Sequence, residues 1–132
     1  MESFLFPFII VVLLGCIILF YAKFRKGKFT QNDRFFFRTQ WHKIIEEKNS
    51  TVALFEADKL LDLALKKIGY TGSLGEKLKK AERLFSDING IWFAHKLRNR
   101  LAHEMNVRVS NGDIEKALKL LKKGLQDLKA LS

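Results

Sequence analysis

The chain has 132 residues and one cysteine, and its 24 Lys and Arg outnumber its 14 Asp and Glu, giving a net charge of +10. That length suits a single domain, and one cysteine excludes a disulfide framework or a cysteine metal cluster. The basic excess favours anionic partners: lipid headgroups, RNA or an acidic protein surface. The charge is unevenly placed, because every Lys and Arg, and every acid but Glu2, follows Ala22, so that the later part alone carries +11.

From Phe4 to Ala22 no residue is charged, and most are Phe, Ile, Val or Leu. As a helix this run reaches about 28 Å, close to the thickness of a bilayer core. Pro7 falls in its first turn, where a missing N–H costs little. Only Glu2 precedes the run, whereas Lys23, Arg25, Lys26 and Lys28 follow it. The positive-inside rule then makes residues 1–22 a single-pass anchor in the cell (inner or plasma) membrane, N-terminus outside and the remainder cytoplasmic. A cleaved signal peptide is the rival reading, but it calls for a basic start and a small-residue cleavage site. Here the start is acidic, and Phe20-Tyr21-Ala22-Lys23-Phe24 offers no such site. The lone Cys16 lies inside the span, which suits a reducing compartment for the rest.

Residues 23–31 read as a basic juxtamembrane linker, loosened by Gly27, whose cations suit a membrane surface or RNA. Residues 32–132 follow as a helical domain. A first helix is expected from about 32 to 49, with Phe37, Trp41, Ile44 and Ile45 at helical spacing. Phe35 and Phe36 fall outside that stripe and suit contact with lipid or a second subunit. Ser50 is the expected cap of a second helix over 51–68, which buries Ala53, Ala57, Leu60, Leu61, Ala64 and Ile68 and stops at Gly69. Ser73 and Glu76 form a capping box for a third helix carrying Leu78, Ala81, Leu84 and Phe85. After Asp87-Ile88-Asn89-Gly90 a fourth helix runs to about Asn106. Ser110 and Asp113 open a last one, with Ile114, Leu118, Leu121, Leu125 and Leu128 as a narrow seam. No stretch alternates with period two. The expected fold is all-α: one N-terminal transmembrane helix, then an antiparallel bundle of four to five helices.

The fourth helix carries the candidate chemistry. At 100° per residue, Phe93, Ala94, Leu97, Leu101 and Met105 gather on one side. His95, Asn99 and His103 recur at i, i+4, i+8 nearly opposite, with Arg98 beside them. Arg98-Asn99-Arg100-Leu101-Ala102-His103, an arginine followed by a polar residue and then by histidine five places on, resembles the R-x4–6-H motif of the HEPN superfamily. These are small all-α domains, many of them metal-independent ribonucleases that act as dimers. The resemblance covers residues 32–132 in architecture but is specific only on this helix. It implies His103 as the acid/base, Arg98 as the phosphate clamp and Asn99 as the orienting amide. These roles fit the residue types, since histidine titrates near neutral pH and the guanidinium presents a planar fork to phosphate. His95 stands outside the family pattern and its role is open. A solvated polar face with His103 capping the helix end is the plain alternative.

Other motifs carry less. Gly69-Tyr70-Thr71-Gly72-Ser73-Leu74-Gly75 follows a helix and lacks phosphate-loop spacing, and Val107 stands where a zinc-protease helix needs its second histidine. No metal site and no cofactor is expected. Trp41 and Trp92 suit the core or an interface. Lys116, Lys119, Lys122, Lys123 and Lys129 form a solvated face, of which Lys119, Lys122 and Lys123 are candidates for RNA contact. The function expected is RNA binding or metal-independent RNA cleavage by a membrane-tethered homodimer. The competing expectation is a non-catalytic membrane-anchored module for self-assembly or a protein partner.

Overall fold

A computed structural model describes residues 2–25 and 29–132, and side chains over 4–21 and 29–132. Among the described residues all regular structure is helical: α1 (Glu2–Arg25), α2 (Gln31–Glu46), α3 (Ser50–Lys67), α4 (Leu74–Lys80), a 3₁₀ turn (Glu82–Leu84), α5 (Ile88–His103) and α6 (Asn111–Asp127). By length and composition α1 can cross a membrane, and its window Phe4–Tyr21 buries nothing inside the fold. The core starts at Phe29 and runs through α2–α6 to Leu131.

The middle of that core is α3, which touches α2, α4, α5 and α6. Its small residues Ala53, Ala57 and Ala64 admit neighbouring backbones, while Leu54, Leu61 and Leu65 fill the space between them. The buried stripe is therefore wider than the periodicity alone indicates, and it includes Asp58. On α6, Ile114, Leu121 and Leu125 are buried as expected, Leu118 of the expected seam is half-buried, Ala117 is buried beside them, and Gly124 lets Ile91 of α5 and Phe85 come close. The Lys residues at 116, 119, 122, 123 and 129 are exposed.

The element ends depart from expectation for local reasons. Thr30, not a linker residue, caps α2: its hydroxyl accepts from the Asp33 N–H at 3.1 Å, and the Asp33 carboxylate accepts from the Thr30 N–H at 2.9 Å. Phe29 before it is buried edge-on against Phe37, so the domain reaches back into the segment expected to be linker. α2 stops at Glu46, and Ile45 within it is exposed rather than core. Asn49, not Ser50, caps α3, its carbonyl oxygen accepting from the Thr51 and Val52 N–H groups. Gly69 and Gly72 adopt φ of +102° and +101°, a left-handed backbone that suits glycine and turns the chain between α3 and α4.

The expected third helix is only seven residues long, and Leu84 is exposed. Asp127 accepts from the Ser86 N–H at 2.9 Å and from its hydroxyl at 2.7 Å, and Asp87 accepts from the Gly90 N–H to cap α5. Both contacts need a non-helical chain just after Phe85. Helix α5 in turn ends at His103, short of Asn106. Met105, expected on its apolar stripe, is 91 % exposed, and Asn106 takes φ of +60° in the turn that follows.

Candidate functional site

The polar face of α5 divides between two environments. Its first part, His95 to Asn99, is turned against α3 and meets Asp58. The His95 side chain is 13 % exposed and that of Asp58 7 %, so this part of the face is mostly used inside the fold.

Four side chains close a ring. His95 Nδ1 donates to Asp58 Oδ1 at 3.0 Å, with Oδ2 at 3.3 Å. Asn99 Nδ2 donates to His95 Nε2 at 3.3 Å, and Arg98 Nη1 donates to Asn99 Oδ1 at 3.3 Å. Arg98 Nε completes the circuit as an ion pair 3.5 Å from Asp58 Oδ2. The amide orientation follows from the donors, since a guanidinium requires the carbonyl oxygen of Asn99 and leaves the NH₂ for the imidazole. The ring therefore holds His95 as its Nδ1–H tautomer. One donor is poorly served: Arg98 Nε is buried and makes no aligned hydrogen bond among the described residues, so the attraction there is Coulombic.

The surroundings fix the ring in place. The Arg98 guanidinium lies over the Phe55 ring at 5.0 Å, and Trp92 meets His95 edge-on at 6.0 Å while its far edge reaches the Gly75 backbone. A cleft of about 370 Å³ opens beside Arg98, lined by Phe55, Asp58, Lys59, Asp62, Leu74 and His95 among others. Lys77 of α4 is buried and reaches Asp62 at 2.8 Å, so this side of α3 is braced by two separate charge pairs.

His103 is elsewhere. Five residues from Arg98 is about 140° around a helix, and His103, the last residue of α5, is exposed and does not line the cleft. Among the described contacts it has no hydrogen-bond or ion-pair partner. The structure thus joins Arg98, Asn99 and His95 and leaves His103 outside. Lys119, Lys122 and Lys123 are exposed on α6, whereas the side chains of Lys23, Arg25, Lys26 and Lys28 lie outside the described residues. Of the two tryptophans, Trp41 is core and Trp92 half-buried. Among the described residues no three His, Cys, Asp or Glu gather as a metal would require.

Asp58 is the site residue that the α5 motif does not reveal. Its signal was present, however: Leu54, Asp58, Leu61 and Leu65 share one face of α3, and an acid interrupting such a seam needs a partner. A second groove lies between α2 and α3, about 460 Å³, lined by Phe36, Ile44, Leu60 and Leu63 together with Lys and Glu side chains. Comparison with protein-family models, curated proteins and solved structures gives no match to this chain.

Proposed function

We propose that the chain is a single-pass membrane protein whose cytoplasmic, HEPN-like helical domain binds and cleaves RNA as a pair of subunits, without a metal. The observation that carries this reading is the contrast along α5. Arg98 is held from behind by Asp58 and Asn99 yet stays 32 % exposed beside the cleft, while His103 on the same helix is exposed and has no side-chain partner among the described residues. One chain supplies both residue types but does not converge them, so the reaction would require the His103 of one copy to approach the Arg98 cleft of another. In that arrangement His103 takes the 2′-hydroxyl proton as the 2′-oxygen attacks phosphorus, the Arg98 fork meets the charge that develops on the non-bridging oxygens, and the P–O5′ bond breaks with the imidazolium returning its proton to the leaving 5′-oxygen. Tethering raises local concentration and supports a weak pair. The juxtamembrane cations and the α6 lysines would guide the strand.

The test is cleavage of single-stranded RNA by the full chain in detergent with a chelator present. The expected product end is a 2′,3′-cyclic phosphate, with the rate lost in His103→Ala and in Arg98→Ala. Cleavage unchanged in the double variant would refute the assignment.

The exposed apolar groove between α2 and α3 favours a second reading, a non-catalytic module that docks a protein helix there. A chain that leaves RNA intact and loses a protein partner on Leu63→Glu would establish that reading instead.

A further inference from the structure

The exposed face of α2 holds Arg34, Phe35, Arg38, His42 and Ile45, which fall within about 100° of arc on a helix. Phe35 is 69 % exposed and Ile45 58 %. Neither Arg34 nor Arg38 has an ion-pair partner among the described residues. The acids of this helix stand apart: Asp33 is turned to Lys67 at 2.9 Å, and Glu46 sits at the arc's edge in the last turn. A face combining bare cations, an aromatic and an aliphatic residue has the chemistry of a membrane interface, where apolar groups enter the headgroup layer and arginines meet lipid phosphates.

Chain length brings that face to the bilayer. Only residues 26–30 separate α1 from α2, a reach of at most about 20 Å even when fully extended. Resting on the reading of α1 as a membrane anchor, we propose that the outer face of α2 docks on the anionic cytoplasmic leaflet. Docking fixes the orientation of the domain and leaves α3, α5 and α6 for other contacts. Lys26 and Lys28 in the connection add to the same attraction.

The test reads depth and affinity separately. In the full chain, a fluorophore on the native Cys16 reports the anchor. A fluorophore on His42→Cys in a Cys16→Ser background reports α2, and one on Lys122→Cys in the same background serves as control. In bilayers of phosphatidylcholine with phosphatidylserine, brominated lipids should quench the reporters at 16 and 42 and spare the one at 122. A quenched Cys16 reporter with an unquenched 42 reporter overturns the docking and leaves the anchor standing. If the Cys16 reporter escapes quenching, the anchor reading fails, and docking is decided by residues 29–132 alone, which contain the buried core found among the described residues. This fragment should co-sediment with phosphatidylserine vesicles at low salt. Arg34→Gln with Arg38→Gln should weaken that binding about 25-fold, roughly fivefold for each charge, and Phe35→Ser should weaken it further. Equal binding to pure phosphatidylcholine vesicles, or none to either, overturns the proposal.

Discussion

Replacing Asp58 with Ala tests whether the Asp58–His95–Asn99–Arg98 ring supports the fold. The change strips the acceptor from His95 Nδ1 and the ion-pair partner from Arg98 Nε. Removing one member of a buried ion pair costs about 3–5 kcal/mol, and a buried donor left without a partner costs about 1–3 kcal/mol. Arg98 is one-third exposed, and water screens part of its loss, so about 2–4 kcal/mol is expected in total. For a domain of this size that lowers Tm by roughly 10–25 °C. Circular dichroism of residues 29–132 during thermal and urea unfolding measures both quantities. Asp58→Asn keeps an oxygen for His95 and loses only the charge, so it should cost less than Asp58→Ala. Adding Arg98→Met to Asp58→Asn should recover part of that cost, because the stranded guanidinium is then gone. Asp58→Ala within about 0.5 kcal/mol of wild type, or strict additivity of the Asp58 and Arg98 changes, would refute the ring as a structural unit.

Gly124→Ala should destabilise despite the better helix former, because the new Cβ would lie 2.6 Å from Ile91 Cδ1 and 3.4 Å from Phe85. Overpacking of about 1–3 kcal/mol outweighs a propensity gain of about 1 kcal/mol, and a raised urea midpoint would contradict this. The hydrogen bond to Lys67, followed by that to the Thr30 N–H, lowers the Asp33 carboxyl from 3.8 to about 2. Its contribution is therefore complete above about pH 4 and lost as pH falls through 2. Acid unfolding should separate wild type from Asp33→Asn above pH 4 and bring the curves together below 2. His103→Ala should leave Tm within about 1 °C of wild type, as an exposed residue without partners should, while lowering RNA cleavage by roughly 10²–10⁴. Charge-neutral replacement of Lys119, Lys122 and Lys123 should flatten the salt dependence of RNA binding, measured by filter retention from 50 to 200 mM salt.

The helices were legible because a 3.6-residue period leaves its mark on each segment separately. Ala53, Ala57, Leu61 and Ala64 of α3, and Leu121 and Leu125 of α6, needed no partner to declare themselves core. The ends were less legible, because each depends on a few local hydrogen bonds competing at neighbouring residues. Asn49 took the cap from Ser50, and Thr30 set the start of α2 with Asp33 as its reciprocal partner. The third helix is shorter than its period suggests: α4 ends at Lys80, a 3₁₀ turn follows over Glu82–Leu84, and Ser86 beyond it is held by Asp127, forty-one residues further on.

The site shows where reading one helix stops being informative. A wheel of α5 places His95, Asn99 and His103 opposite the apolar stripe, which makes the whole row look like solvent-facing chemistry. In the fold, α5 packs against both α6 and α3, so a helix with two neighbours buries an arc wider than its apolar stripe. The polar residues within the added arc must then find partners in α3, and Asp58 provides one for both His95 and Arg98. His103 lies about 140° around the helix from Arg98, at the exposed end of α5. In the proposed cleavage, which uses both residues, a second copy would supply one of them, and a variant pair tests this. Mixing inactive Arg98→Ala chains with inactive His103→Ala chains should restore up to about a quarter of wild-type activity, because half of the random pairs are mixed and each holds one intact composite site. A mixture as inactive as its parents would exclude a shared site.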